Sequence, residues 1–228
     1  GVADDLGFSR LQINPMYAQN SRGKFEIMAL QACAHAMQDV RRLAWDLSLF
    51  TTSEFDFVKL PKQYITGSSI MPNKANPDVV ELLRARAATP EAAMVEIQSL
   101  LSLPSGYQRD LQLTKAPLIR GTEAALQALA IVPPLVRGLE FQADKMAAAI
   151  SKEMYATDLA TGQAARGVPF REAYMSAKQE LDSLDAPDAA QSLAQRVSPG
   201  ACGDLMLEDI ERRLNREISA LGDARQAP

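Results

Sequence analysis

Residues 67–77 concentrate polar groups that could do chemistry between a glycine, which allows the backbone to bend, and a proline, which restricts it. The polar residues of this segment include two adjacent serines, a lysine and a carboxamide: Ser68, Ser69, Lys74 and Asn76. Hydroxyl, ammonium and amide groups could bind a small anionic substrate in a locally basic pocket. Each also has a plain structural explanation, since serines are common in flexible loops and asparagine caps helices. Their joint spacing decides between these interpretations.

That spacing is the basis of a resemblance to a known superfamily. Residues 67–77 read GSSIMPNKANP. They resemble the signature loop of the fumarase/aspartase superfamily, G-S-S-x-M-P-x-K-x-N-P, at every fixed position. Because so many identities are fixed, a chance match in a chain of 228 residues is negligible.

A second stretch resembles the argininosuccinate lyases in particular, whose pattern is L-P-x-x-Y-x-x-D-x-Q-x-x-K-x-P. The matching residues are Leu103, Pro104, Tyr107, Asp110, Gln112, Lys115 and Pro117. Residues 155–160 and 166–173 resemble the carboxyl-terminal domain of the same enzymes. The resemblance covers nearly the whole chain and implies the carboxyl-terminal half of such an enzyme.

The resemblance implies a β-elimination that removes a proton beside a carboxylate, expels a nitrogen leaving group and yields fumarate. Deprotonation loads a second negative charge onto the carboxylate, so cations and donors must be fixed where that charge develops. By this resemblance Ser68 is the base, and Lys74 and Asn76 bind the substrate carboxylate. A serine is a poor base unless backbone N–H groups stabilise its oxyanion in a closed site, which favours a mobile loop hinged at Gly67.

The remaining site residues also follow from the resemblance. Glu81, about one turn into the next helix, is expected to pair with a histidine from another subunit. Ser69, Tyr107, Gln112 and Lys115 are expected to contact the substrate. Alternatively, Glu81 is a solvated acid that interacts favourably with the helix dipole. In the same interpretation, Tyr107 has only a packing role and Lys115 is an ordinary solvated surface residue. The single histidine, His35, matches no catalytic position, and we interpret it as a packed core residue.

The sequence also departs from the pattern of the argininosuccinate lyases. Residues 21–25 read SRGKF where these enzymes usually have S-D-R-D-F, so a substrate-contacting arginine is lost or replaced by Arg22. Thr114 stands where an acid usually precedes the matching lysine, Ala75 follows Lys74 where a second lysine is common, and Tyr174 replaces a frequent histidine. These departures bear on the substrate more than on the reaction type.

Composition excludes several function classes. A net charge of -4, with dispersed lysines and arginines, predicts no nucleic-acid or membrane-surface partner. Cys33 and Cys202 lie too far apart for a zinc site or a disulfide framework, which predicts a reducing cytoplasm. The longest apolar stretch, 124–136, is too short to cross a bilayer, and no secretory signal opens the chain. No metal and no cofactor is predicted.

Hydrophobic periodicity predicts three long helices separated by two polar loops. The first runs from Lys24 to Phe50, with an apolar stripe that begins at Phe25 and Met28. The next begins at Asn76 as its cap, kinks near Pro90 and stops near Pro104. The third covers 116–150 with a bend at two prolines, and shorter helices follow.

These observations predict an all-α fold: a long-helix bundle over residues 1–150 and a small helical domain over 151–228. By resemblance, the long helices join those of other subunits in a homotetramer whose active sites draw on three chains. Two other superfamily signatures are absent, so the missing amino-terminal half is an expected partner and argininosuccinate the expected substrate, cleaved in arginine biosynthesis. Adenylosuccinate lyase, a fumarase-like enzyme and an inactive crystallin-like scaffold remain alternatives.

Overall fold

The computed structural model describes residues 1–8, 10–67, 69–71, 73–101, 105–183 and 188–226. Helices account for most of these residues, which confirms the predicted all-α class. The α-helices are α1 (Val2–Asp5), α2 (Pro15–Asn20), α3 (Lys24–Phe50), α4 (Asp78–Arg86), α5 (Ala88–Leu100), α6 (Lys115–Arg137), α7 (Ala143–Ala148), α8 (Ala156–Ala165), α9 (Phe170–Glu180), α10 (Ala189–Ala194) and α11 (Leu207–Gln226). Short 3-10 helices lie at Lys62–Tyr64, Arg109–Thr114, Lys152–Tyr155 and Leu181–Ser183.

The strands in the described part of the chain are two residues long and form two antiparallel pairs. They are β1 (Val58–Lys59) with β4 (Glu140–Phe141), and β2 (Thr66–Gly67) with β3 (Ala75–Asn76). The chain divides into two compact units: a larger one, Gln12–Lys145, and a smaller one made of Gly1–Leu11 and Met146–Pro228. Contacts within the chain define these two units, but they do not test the domain boundary predicted from the sequence. The domains 1–150 and 151–228 therefore stay a prediction.

Helix α3 is the central element of the larger unit and has the predicted bounds. Its buried face packs against α4, α5 and α6 and comprises Leu30, Ala34, Met37, Val40, Ala44 and Leu47. The predicted stripe was wrong at its beginning, because Phe25 and Met28 are exposed. His35 is exposed as well, which corrects its interpretation as a core residue. Apolar side chains lie around most of this helix, so periodicity alone could not identify the face that this chain covers.

The ends of the other long helices also differ from the prediction. Helix α4 begins at Asp78 and is capped by the backbone of Pro77, because Asn76 belongs to β3. The predicted kink is a break at Ala87 between α4 and α5. Helix α6 contains both prolines and ends at Arg137, well before residue 150. It ends there because Gly138 lies against Pro61 and the chain turns into β4, which pairs with β1.

The smaller unit is built around α8, which packs against α9 and is tied to α10 and the turn that follows it. Asp158 on α8 accepts hydrogen bonds from Ser192 Oγ at 2.7 Å and from the Arg196 guanidinium at 2.8 Å. Burial raises the pKa of the Asp158 carboxyl, but the hydrogen bonds from Arg196 and Ser192 and the arginine's charge outweigh burial. The pKa of Asp158 therefore lies below its ordinary value.

Gly121 on α6 provides a test of the helix packing, because an added Cβ would lie 2.5 Å from Leu30 Cδ2 and 3.0 Å from Ala93 Cβ. We expect Gly121→Ala to lower the free energy of unfolding by about 1–3 kcal/mol through overpacking. Chemical denaturation followed by circular dichroism measures this change. Gly222→Ala on α11, where a Cβ meets no atom within 4 Å, is the matched control and should not destabilise. Equal stability of Gly121→Ala and the wild type would contradict the packing described.

Asp158 predicts a pH dependence of the smaller unit's stability. A lowered folded-state pKa stabilises the fold above the ordinary aspartate pKa, and this contribution is lost as the pH falls through the lowered value. Asp158→Asn should therefore be less stable than the wild type at neutral pH, and the difference should shrink in acid. Thermal unfolding at a series of pH values measures it, with the exposed Glu211→Gln as control. A difference that does not change with pH would refute the assigned role.

Candidate active site

The predicted serine loop is a hairpin whose stem is the β2–β3 pair. Thr66 pairs with Asn76 and Gly67 with Ala75, so residues 68–74 connect the two strands. The stem is short, and the Thr66 hydroxyl adds a hydrogen bond to the Asp78 carboxylate at its base. Ser68, the predicted base, and Pro72 lie outside the described residues.

The hairpin presents its predicted polar residues to the surface. Ser69 and Lys74 are exposed, and Asn76 is half-buried at the end of the stem. The Lys74 backbone N–H donates to the Met71 carbonyl at 3.1 Å, which tightens the loop just before the lysine. Among the residues that the structure describes, no carboxylate pairs with the Lys74 ammonium. This cation is therefore open to an anionic group.

Glu81 lies on the outward face of α4, directly after the hairpin. Val80 and Leu83 on the same helix are buried against α3. Arg84 donates to Ser48 Oγ at 3.0 Å and stacks over the Trp45 ring, with its guanidinium carbon 4.5 Å from the ring centroid. These contacts fix α4 on the carboxyl-terminal part of α3 and therefore fix the backbone from which the exposed Glu81 side chain extends.

The second group of predicted residues lies between α5 and α6. Gln112 Nε2 donates to the Tyr107 hydroxyl at 2.6 Å, so the structure brings these two together. Lys115 is exposed as the first residue of α6, and Thr114 caps that helix. Thr114 is only 1% exposed, so the position where the resemblance expects an acid faces the interior of this unit. Leu103 and Pro104 of the matching pattern lie outside the described residues.

A cavity of about 330 Å³ lies beside this second group. Arg22 and Lys24 line it together with Ser105 and Gly106, and no carboxylate is among its described lining residues. Arg22 also lies 4.0 Å from the Glu26 carboxylate, which partly offsets its charge. That Arg22 replaces the arginine of the family pattern stays a prediction.

The described residues of the two groups lie apart within one chain. The hairpin and α4 are held near Trp45 and Ser48, whereas the second group is held near Glu26, whose carboxylate lies 3.4 Å from the Thr114 hydroxyl. At 1.5 Å per residue, these attachment points are about 30 Å apart along α3. Among the described residues, no hydrogen bond or ion pair joins Lys74, Asn76 or Glu81 to Tyr107, Gln112 or Lys115.

Sequence reasoning missed Thr66 and Asp78, which close the base of the hairpin. Both directly flank the recognised motif, so two polar residues at the ends of a Gly-to-Pro loop were the available signal. No group of three histidine, cysteine or acidic side chains in the described ranges is arranged to hold a metal ion. Within the same ranges, no helix combines the length and apolar character required to cross a membrane.

Part of the chain matches a known protein family, and nearly all of it is similar to known proteins. Residues 2–89 match a family described as Lyase. An argininosuccinate lyase of Xanthomonas campestris pv. campestris (strain B100) is 56% identical over 212 residues, which is 92% of this chain and 49% of that protein. An argininosuccinate lyase of Stenotrophomonas maltophilia (strain K279a) is 56% identical over 209 residues, 91% of this chain and 48% of its own length. The chain thus spans about half the length of the curated relatives it matches.

The fold is also similar to that of solved structures. An EDDS lyase crystallised with formate superposes with a TM-score of 0.78 at 20% identity, covering 99% of this chain and 53% of that one. A D290M/Y320M variant of EDDS lyase with bound fumarate gives a TM-score of 0.73 at 19% identity, with the same coverage. These superpositions confirm the long-helix fold.

The bond between Thr66 and Asp78 predicts the behaviour of the hairpin. Thr66→Val removes the hydroxyl donor and leaves the two-residue ladder to hold the loop. Because a surface hydrogen bond contributes about 0.5–1.5 kcal/mol, we expect tryptic cleavage after the exposed Lys74 to become about two- to tenfold faster. Timed proteolysis with mass spectrometry measures the rate. Thr52→Val, which removes a local bond to the Leu49 carbonyl, is the control, and equal rates for both variants would oppose the assignment.

Proposed function

We propose that this chain is the serine-loop half of an argininosuccinate lyase, because residues 2–89 match the lyase family and the chain is similar to about half the length of argininosuccinate lyases. The reaction is the β-elimination of argininosuccinate to fumarate and arginine. The observation that carries the proposal is the 56% identity over 92% of the chain to an argininosuccinate lyase. The exposed, unpaired Lys74 on a glycine-hinged hairpin supports it.

In this proposal Ser68 removes a proton from the carbon beside a substrate carboxylate, and the electron pair forms the double bond of fumarate as the carbon–nitrogen bond breaks. The arginine nitrogen leaves and takes up a proton. Lys74 supplies a fixed positive charge, and Asn76 an amide donor, where the second negative charge develops on the carboxylate. Removing water from the site strengthens both interactions, which is the purpose of closing the loop.

The remaining residues act at the edges of the same site. Glu81 orients and charges a histidine of another subunit, and Ser69, Tyr107, Gln112 and Lys115 bind the substrate. Because the two groups of this chain are about 30 Å apart along α3, they serve different sites or meet across a subunit boundary. A homotetramer completed by the missing amino-terminal half meets this requirement.

The exposed apolar side chains of the long helices support association. Phe25, Met28 and Trp45 on α3, and Ile119 and Leu126 on α6, are each more than half exposed in this chain. Large apolar surfaces of this kind mark protein interfaces. The enzyme would act in the cytoplasm, in arginine biosynthesis.

Two other candidates differ from this proposal in the substrate that they would cleave or in having no activity. Another fumarate-releasing lyase, acting on adenylosuccinate or malate, is disfavoured by the Tyr107, Gln112 and Lys115 pattern. An inactive scaffold of the crystallin kind is disfavoured by the intact Lys74, Asn76 and Glu81. Ultraviolet absorbance of fumarate separates the candidates when this chain is combined with the amino-terminal half of the Xanthomonas relative and offered argininosuccinate, adenylosuccinate, aspartate or malate. Release from argininosuccinate alone supports the proposal, and release from none supports the scaffold.

Ser68→Ala tests the proposed base in the same reconstituted enzyme. We expect turnover of argininosuccinate to fall about 10²- to 10⁴-fold, because general base catalysis contributes that much, while assembly is unchanged. Gel filtration verifies assembly. Ser99→Ala on α5, whose hydroxyl bonds only to the Val95 carbonyl of its own helix, is the control and should keep full activity. An unchanged rate in Ser68→Ala would identify a different residue as the base.

A further inference from the structure

The segment that carries Tyr107, Gln112 and Lys115 is tied at both ends to the junction between α2 and α3. At its beginning, the Gly106 N–H donates to Asn20 Oδ1 at 2.8 Å. At its end, Thr114 lies against Glu26, whose Oε1 is 3.4 Å from the threonine hydroxyl. Residues 20–26 and residues 106–114 lie far apart in the sequence but contact each other beneath the second group.

Glu26 connects several parts of this unit through one carboxylate. Its Oε2 accepts the Gly23 N–H at 2.8 Å, which caps α3 at a glycine with φ of 87°. The Thr114 hydroxyl donates to the Leu111 carbonyl at 2.9 Å, and Glu26 Oε1 lies 3.4 Å from the same hydroxyl and 4.0 Å from Arg22 Nε. The Glu26 side chain is 17% exposed and Thr114 only 1%, so solvent competes little for these contacts.

The two main departures from the argininosuccinate lyase pattern meet at this carboxylate. Residues 21–24 provide Arg22 and the Gly23 N–H, and Thr114 replaces the usual acid. An acid at position 114 would face Glu26, and two buried carboxylates so close repel each other. Glu26 thus places a carboxylate from α3 beside position 114, where Thr114 has a hydroxyl that contacts Glu26 and also bonds to the Leu111 carbonyl.

We propose that Glu26 is a positioning residue for substrate binding, which holds the beginning of α6, and with it Gln112 and Lys115, through Thr114. The proposal rests on the proposed function for its effect on substrate, but the positioning itself is a property of this chain. Thr114 occupies the N-cap position of α6, directly before Lys115, so fixing Thr114 fixes the backbone from which the Lys115 side chain extends. Gln112 lies in the same 3-10 helix as Thr114 and donates a hydrogen bond to the Tyr107 hydroxyl.

Amide hydrogen exchange of this chain tests the positioning without catalysis. Glu26→Ala should accelerate exchange in residues 105–115 about two- to tenfold, because it removes hydrogen bonds that contribute modestly. Glu26→Gln keeps an acceptor for Gly23 and a donor for Thr114, so it should stay near the wild type. Glu96→Ala, which breaks an exposed ion pair with Arg120 between α5 and α6, is the matched control. Unchanged exchange in Glu26→Ala would overturn the proposal.

A pair of variants at position 114 makes the test independent of Glu26→Ala. Thr114→Val removes the hydroxyl's contacts with both Glu26 and the Leu111 carbonyl, so it should accelerate exchange at least as much as Glu26→Ala does. Thr114→Asp should accelerate exchange more strongly still, because the new carboxylate meets that of Glu26. Combining Thr114→Asp with Glu26→Gln should restore slow exchange, because the amide that replaces the Glu26 carboxylate donates to the new acid. Effects that simply add in the double variant would show that the two residues do not interact, and would contradict the proposal.

The reconstituted enzyme then distinguishes positioning from general stability. Glu26→Ala should raise KM for argininosuccinate about tenfold while kcat changes less than about threefold, because ground-state contacts are lost. Glu26→Gln should restore KM. A fall in kcat with KM unchanged would exclude a role in substrate positioning. If the wild type releases no fumarate, the proposed function fails, and the exchange measurements still decide the positioning.

Discussion

The packing of α3 against α4, α5 and α6 determines where the described candidate site residues lie. Leu47, Val80 and Leu83 share one buried cluster, and Arg84 reaches back to Trp45 and Ser48, so the hairpin is fixed at the carboxyl end of α3. At the other end, Leu30 packs with Ala93 and Ile97 below the segment that carries Tyr107. A rigid helix of 27 residues thus holds the two groups apart.

This separation affects how the charged residues of the candidate site are interpreted. Lys74, Glu81 and Lys115 are exposed, and none of them has an ion-pair partner among the described residues. An unpaired charge on a surface is ordinary, but each of these charges lies on an element that contacts with other parts of the chain hold in place. Such an arrangement prepares the charge for a group that comes from outside the chain, whether a substrate carboxylate or a residue of another subunit. The exposed apolar faces of α3 and α6 indicate where those subunits would pack.

The sequence predicted those features that depend on local or motif-level signals. The bounds of α3 followed from periodicity, and the loop at 67–77 followed from its glycine and prolines. Prediction failed where tertiary contacts determine the local structure. Asn76 was interpreted as a cap, yet pairing with Thr66 places it in β3. The long-range contacts from Thr66 to Asp78 and from Glu26 to Thr114 carry no sequence motif, so only the folded chain reveals them.

The central claim is that the hairpin of one copy and the Tyr107-to-Lys115 segment of another complete one site. Subunit complementation tests it most directly, because Ser68→Ala and Lys115→Met disable different groups. Each variant, assembled alone with the amino-terminal half, should be inactive. When the two variants are unfolded, mixed and reassembled, some sites receive both intact groups, and fumarate release should recover to about a quarter of the wild-type rate if assembly is random. If the mixture stays as inactive as either variant alone, both groups serve the same site from one chain, and the account is wrong.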